Sequence, residues 1–110
     1  EPIEVRIDSP GFVVNRMMIA SNIEAIRLFE QGIASKEDID KATKLGLNYP
    51  MGPFELMDYT GLDINYFVMN GFYHNLQKEL KWDPPLSIKN LVKAEMLGKK
   101  TGSGFKEYTG

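Results

Sequence analysis

Apolar and polar side chains alternate over the first residues, with Ile3, Val5 and Ile7 on one side and Glu4 and Arg6 on the other. A period of two predicts a short strand, ended by the breaker Ser9-Pro10-Gly11. No second run of this kind follows before the C-terminus, and a lone strand leaves backbone donors and acceptors unpaired. Its partner sheet is therefore expected outside these residues. From Phe12 to Gln31 the period becomes helical, with Pro10-Gly11 at the entry and Gly32 at the exit. A helix of that length spans about 30 Å. Its apolar set (Phe12, Val13, Val14, Met17, Met18, Ile19, Ile23, Ile26 and Phe29) is wider than a surface helix needs. Burial on two sides is expected, one supplied by this domain and the other by a second domain or subunit.

Ser35-Lys36-Glu37-Asp38 opens the next helix, with a Ser cap and first-turn acids that suit the helix dipole. Ile39, Ala42 and Leu45 are expected on its buried face, with Gly46 as its C-terminal glycine. Two prolines stiffen the loop Asn48 to Pro53, and Pro53 can begin a short helix that runs to Thr60 and ends at Gly61. Asp63 is expected to cap a fourth helix from Ile64 to Leu80, with Phe67, Phe72, Leu76 and Leu80 inward. After the break Trp82-Asp83-Pro84-Pro85, Ser87 leads a fifth helix through Met96, stopped by Gly98. Ile88, Leu91, Val92 and Leu97 are the apolar residues of that segment, and Phe105 and Tyr108 are expected to anchor the basic, glycine-rich tail. The chain thus reads as an all-α bundle of about five helices with a short strand in front.

Composition narrows the chemistry. The 110 residues suffice for one domain with a modest core, and a net charge of −2 gives no bulk attraction to nucleic acid or an anionic membrane. No cysteine is present, which excludes disulfides, thiolate chemistry and Cys-based zinc sites. One histidine, His74, is little material for a metal centre or a His-based acid–base pair, so no metal is expected. No apolar run reaches the roughly 20 residues of a membrane span. With neither an initiating Met nor a signal-peptide pattern, the chain is expected to be a piece of something longer, and a cytoplasmic home is expected.

Most candidate motifs reduce to structural roles. The tail Gly98-Lys99-Lys100-Thr101-Gly102-Ser103-Gly104 is not a P-loop: Lys93 stands where the first glycine belongs, and a helix precedes it. It is not a dinucleotide fingerprint either, because Glu107 takes the place of the third glycine. A helix C-terminus with favourable lysines accounts for it, though Lys99 and Lys100 could still offer charge to a phosphate. His74, among Asn70, Asn75 and Lys78, reads as a surface residue. Glu55 and Asp58 could share a helix face for acid–base work, but dipole complementarity explains Glu55 without it. Asn15 is different. An amide among Phe12, Val13, Val14, Met17 and Met18 needs a partner, either neighbouring backbone or a ligand's carbonyl or hydroxyl, and spacing leaves both open.

Several segments in register resemble the C-terminal domain of the L-3-hydroxyacyl-CoA dehydrogenase family. They are Asp8-Ser9-Pro10-Gly11-Phe12-Val13-Val14-Asn15-Arg16, Glu24-Ala25, Ala34 to Asp40, Gly46 to Leu56, Asp58, Gly61-Leu62-Asp63 and Leu97 to Phe105. The resemblance implies a 6-phosphogluconate dehydrogenase C-terminal-like helical bundle. Residues 1–8 would end an N-terminal Rossmann domain that carries NAD, and residues 9–110 would form the substrate and dimerisation domain. It implies oxidation of L-3-hydroxyacyl-CoA to 3-ketoacyl-CoA with NAD in fatty-acid β-oxidation, or 3-hydroxybutyryl-CoA oxidation in butyrate-type metabolism. Asn15 matches the active-site Asn of the Pro-Gly-Phe-x-x-Asn-Arg motif and would position substrate beside a catalytic His. That His and its Glu partner belong to the other domain, so the segment alone would be inactive. Lys100 matches a tail lysine that approaches NAD. Lys106 departs from the pattern, standing where members commonly carry Tyr, which bears on how the tail packs.

The implied partners are an acyl-CoA substrate, the chain's own Rossmann domain and a second copy in a homodimer, with a fused enoyl-CoA hydratase as a further arrangement. Neither nucleic acid nor membrane is expected. Self-association of the segment is expected from the breadth of its apolar first helix. The rival from another class is a stand-alone helical interaction module without catalysis, against which the intact Pro-Gly-Phe-x-x-Asn-Arg segment speaks.

Overall fold

A computed structural model describes residues 2–4, 6 and 13–108. The expected strand, with Val5 and Ile7, and the Asp8–Phe12 part of the entry motif lie partly or wholly outside them. Among the described residues there are five α-helices: α1 (Val14–Glu30), α2 (Lys36–Gly46), α3 (Pro53–Thr60), α4 (Leu62–Asn75) and α5 (Leu86–Lys93). Single 3-10 turns at Leu80–Trp82 and Lys99–Thr101 complete the set. None of these helices is long and apolar enough to cross a membrane.

Half of the residues of the short helix α3 are buried. Eight residues of α3 are too few for a stable isolated helix, so packing and capping must hold it. It lies against α1, α2, α4 and the Lys99–Thr101 turn. Phe54 and Met57 are fully buried, and the Phe54 ring meets Phe29 and Phe105 edge-on at centroid distances of 6.1 and 4.9 Å. Its N-terminus is capped from another helix. The Asp40 carboxylate of α2 accepts hydrogen bonds from the Phe54 amide (2.9 Å) and the Glu55 amide (3.1 Å). Gly52 is required beside it, because a Cβ there would collide with Asp40.

The second buried carboxylate holds the tail. Asp58 is 0% exposed and accepts the amides of Phe105 (2.9 Å) and Lys106 (3.0 Å) and the Tyr108 hydroxyl (2.7 Å). The tail passes so close that a Cβ at Gly98 would strike the Asp58 backbone, and one at Gly104 its carboxylate. Lys106, the departure from the family pattern, has its own partner: its ammonium donates to Asp40 at 2.9 Å. Lys36 adds a bond to the Phe105 carbonyl. Phe105 and Tyr108 are therefore the anchors expected of them.

Helix starts and stops follow the sequence in part. Ser35 caps α2 through the Asp38 amide at 3.1 Å, and Gly32, at φ 73°, ends the turn after α1. α3 runs from Pro53 to Thr60 as expected. Gly46 is instead the last residue of α2, and the left-handed position falls on Asn48 at φ 56°. On α2 only Ile39 of the expected trio is buried; Ala42 and Leu45 are exposed, and Asp40 points inward because it caps α3. Gly61, not Asp63, stands at the start of α4, and the helix ends at Asn75, with Gln77 and Lys78 at positive φ. That early end strands Leu80 outside at 75% exposure. Phe67 is also outside, since the inward stripe is Leu62, Asn65, Met69 and Phe72, and Leu76 is half-buried. α5 starts at Leu86 and stops at Lys93, before Glu95 at φ 60°, while Glu30 accepts the Ser87 amide at 2.7 Å.

Removing the tail's anchor has a defined cost. Asp58→Ala leaves one buried and two partly buried donors without an acceptor and should lower unfolding free energy by about 3 kcal/mol; a denaturant midpoint within error of the unmodified chain would contradict this. The tail also predicts an alkaline weakness. Burial, with the Asp58 hydrogen bond, pushes the Tyr108 phenol above its ordinary 10.0. Burial opposes charge on Lys106, but the Asp40 carboxylate outweighs it and raises the ammonium above 10.5. Both groups hold their protons more tightly in the folded chain, so their contribution is whole below those ordinary values and is lost as pH rises past them. Stability should therefore fall more between about pH 9 and about pH 11 in the unmodified chain than in Tyr108→Phe; parallel declines would refute this.

Candidate functional site

The first turns of α1 project beyond the bundle. Asn15, Ile19, Asn22 and Ile26 follow one another at helical spacing and share a stripe. The last three are buried, at 4%, 3% and 0% exposure, whereas Asn15 is left exposed by the described residues. Among the described residues the Asn15 amide has no hydrogen-bond partner. The wide apolar set divides the same way. Ile19, Ile23 and Ile26 lie in the core, but Val14 and Met17 are 69% and 70% exposed, and Val13 and Met18 also face out. The bundle thus supplies one of the two sides this helix was expected to need.

Beside that end runs a groove of about 590 Å³, between α1 and the rigid loop before α3. Met17, Met18, Tyr49, Met51 and Leu56 form most of its apolar wall, and Ser21 and Asn22 bring the polar groups. A concave, mainly apolar space with a few placed polar atoms has the character of a small-molecule site. On the next side of α1, Arg16 and Lys81 each lie over the Trp82 ring, 5.6 and 5.3 Å from its centroid.

Lys100 sits elsewhere. It belongs to the 3-10 turn that packs on α3, and this turn makes no contact with α1 among the described residues. Its ammonium donates to Asp63 at 2.6 Å, which holds the Asp63 carboxyl below its usual range. Gly61 leaves room for it, since a Cβ there would lie 2.9 Å from the Lys100 Nζ. Lys99 stands over the rings of Tyr59 and Tyr108, at 5.8 and 5.7 Å. Two cations are thereby presented on one edge, and Lys100 remains 45% exposed, open to a phosphate from outside the chain.

The structure therefore does not bring Asn15 and Lys100 together. Glu55 and Asp58 do not form an acid–base pair: Glu55 bonds Lys44 at 3.1 Å, while Asp58 is occupied with the tail. His74 is exposed at the end of α4. Sequence reasoning passed over Ser21 and Asn22, although an Asn seven residues after Asn15 within an apolar stripe was a readable signal.

The family model described as "3-hydroxyacyl-CoA dehydrogenase, C-terminal domain" matches residues 11–108. The chain belongs to this family. It is 54% identical over 101 residues to the mouse "Hydroxyacyl-coenzyme A dehydrogenase, mitochondrial", covering 92% of this chain and 32% of that protein. With the 3-hydroxybutyryl-CoA dehydrogenase of Clostridioides difficile it shares 46% identity, over 97% of this chain and 37% of the relative. The chain thus spans about a third of the length of the curated relatives it matches. Among solved structures, (S)-3-hydroxybutyryl-CoA dehydrogenase from Ralstonia eutropha superposes with a TM-score of 0.88 at 41% identity, covering 94% of this chain and 36% of that one. The all-α bundle is accordingly the fold of 3-hydroxyacyl-CoA dehydrogenase C-terminal domains.

Proposed function

We propose that this chain is the substrate and dimerisation domain of an NAD-dependent dehydrogenase that oxidises L-3-hydroxyacyl-CoA to 3-ketoacyl-CoA in fatty-acid β-oxidation. Residues 1–8 end the preceding dinucleotide-binding domain and residues 9–110 form the helical domain. The observation that carries the reading is the exposed, unpartnered Asn15 at the projecting end of α1, beside an apolar groove. An amide so placed can hydrogen-bond the oxygen on C3 as its charge changes, while the groove receives the acyl chain. The substrate closes against the other domain, whose His–Glu pair handles the proton; without it the segment is inactive.

NAD, held mainly by the other domain, would supply the hydride acceptor. The residues here fit such a cofactor at its phosphates only, through the half-exposed Lys100 ammonium that Asp63 steadies. The uncovered start of α1, where Val13 stands outside the groove, gives the other domain and a second copy apolar surface to bury. Identity to a bacterial 3-hydroxybutyryl-CoA dehydrogenase favours, as a second reading, the short-chain reaction of butyrate-type metabolism. A cytoplasmic home fits the cysteine-free composition, and the mitochondrial names of the animal relatives offer the other compartment.

In the whole protein, Asn15→Ala should lower kcat for acetoacetyl-CoA with NADH by about a hundredfold, with a smaller change in KM. Unchanged kinetics would remove Asn15 from the mechanism, and no turnover by the unmodified protein would leave the stand-alone interaction module as the better account.

A further inference from the structure

Asn22 lies on the stripe of α1 that begins at Asn15, seven residues and two turns deeper, about 10 Å along the axis. It is 3% exposed, and its amide has no hydrogen-bond partner among the described residues. The Trp82 indole nitrogen is the one polar side-chain atom there that is fully sealed without a partner. The Asn22 amide is therefore not sealed, and it lines the groove with Met18, Met51 and Leu56. Such an amide costs little while water reaches it and much once an apolar group displaces that water.

We propose that Asn22 is a specificity-determining residue that limits the enzyme to short acyl chains. The inference rests on Asn15 standing beside C3 and on the groove holding the acyl chain. The groove is lined along α1 by residues from Val14 to Asn22, so a chain with C3 at the adjoining Asn15 meets Asn22 only after about 10 Å. An acyl group of butyryl length ends well short and leaves the hydrated amide undisturbed. A long saturated chain strips the water and offers no donor or acceptor in return. Discrimination by an unpaired buried amide exceeds what one methylene more or less can provide. A long chain ending in a hydroxyl restores what the water gave.

The test assays the whole protein with NADH against acetoacetyl-CoA, 3-oxododecanoyl-CoA and the ω-hydroxy analogue of the latter. kcat/KM should fall roughly ten- to hundredfold from acetoacetyl-CoA to the plain long chain. The ω-hydroxyl should recover about tenfold of that loss. Asn22→Leu should raise the long-to-short ratio by about tenfold or more. The hydroxyl comparison uses the unmodified protein and so stands even if the variant fails to fold. An equally fast plain long chain, no gain from the hydroxyl, or an unchanged ratio in a folded Asn22→Leu overturns the role of Asn22 and leaves the dehydrogenase reading intact. No turnover of any of the three substrates overturns that reading, and this inference with it.

Discussion

The carboxylate of Asp58 ties the C-terminal tail to α3. A buried charge without donors would be untenable, and here two backbone amides and a phenol supply them, all from the tail. The tail can reach the carboxylate only because positions 98 and 104 lack a Cβ. Asp40 repeats the device one layer out, capping α3 from α2 and drawing in Lys106 from the same tail. Segments far apart in sequence thus converge on the eight residues of α3, which has little stability of its own.

Rigidity there matters for what happens at the other end of α1. The loop before α3 forms one wall of the groove and α1 the other, so fixing α3 fixes the width between them. The projecting turns of α1 carry their apolar side chains and Asn15 outside the bundle's own cover. On the proposed reading a neighbour completes the site there, and the position of the Asn15 amide is set in advance.

Much of this was legible in the sequence, and the exceptions have physical causes. The over-wide apolar set of α1 foreshadowed a helix whose own bundle covers only part of it, leaving Val14 and Met17 outside, and Ser35, Gly32 and Pro53 marked their turns by local chemistry that needs no tertiary information. Periodicity misled where a polar residue had a distant partner. Asp40 took an inward position on α2 that the pattern gave to Ala42 and Leu45, because the amides of Phe54 and Glu55 needed an acceptor. Asp63 looked like a cap and instead pairs with Lys100, which lies 37 residues on in sequence. Leu80 was assigned to a helix that ends five residues earlier. The family pattern singled out Asn15 and Lys100, but only the packing revealed that their elements do not meet among the described residues and that Asn22 opens on the groove.

Native-state amide hydrogen exchange tests most directly whether the tail is part of the core and the start of α1 is not. The amides of Phe105 and Lys106 should exchange as slowly as that of Ile26, while those of the first turn of α1 exchange orders of magnitude faster. Tail amides exchanging as fast as that first turn would show that Asp58 does not hold the fold closed, and would contradict the account.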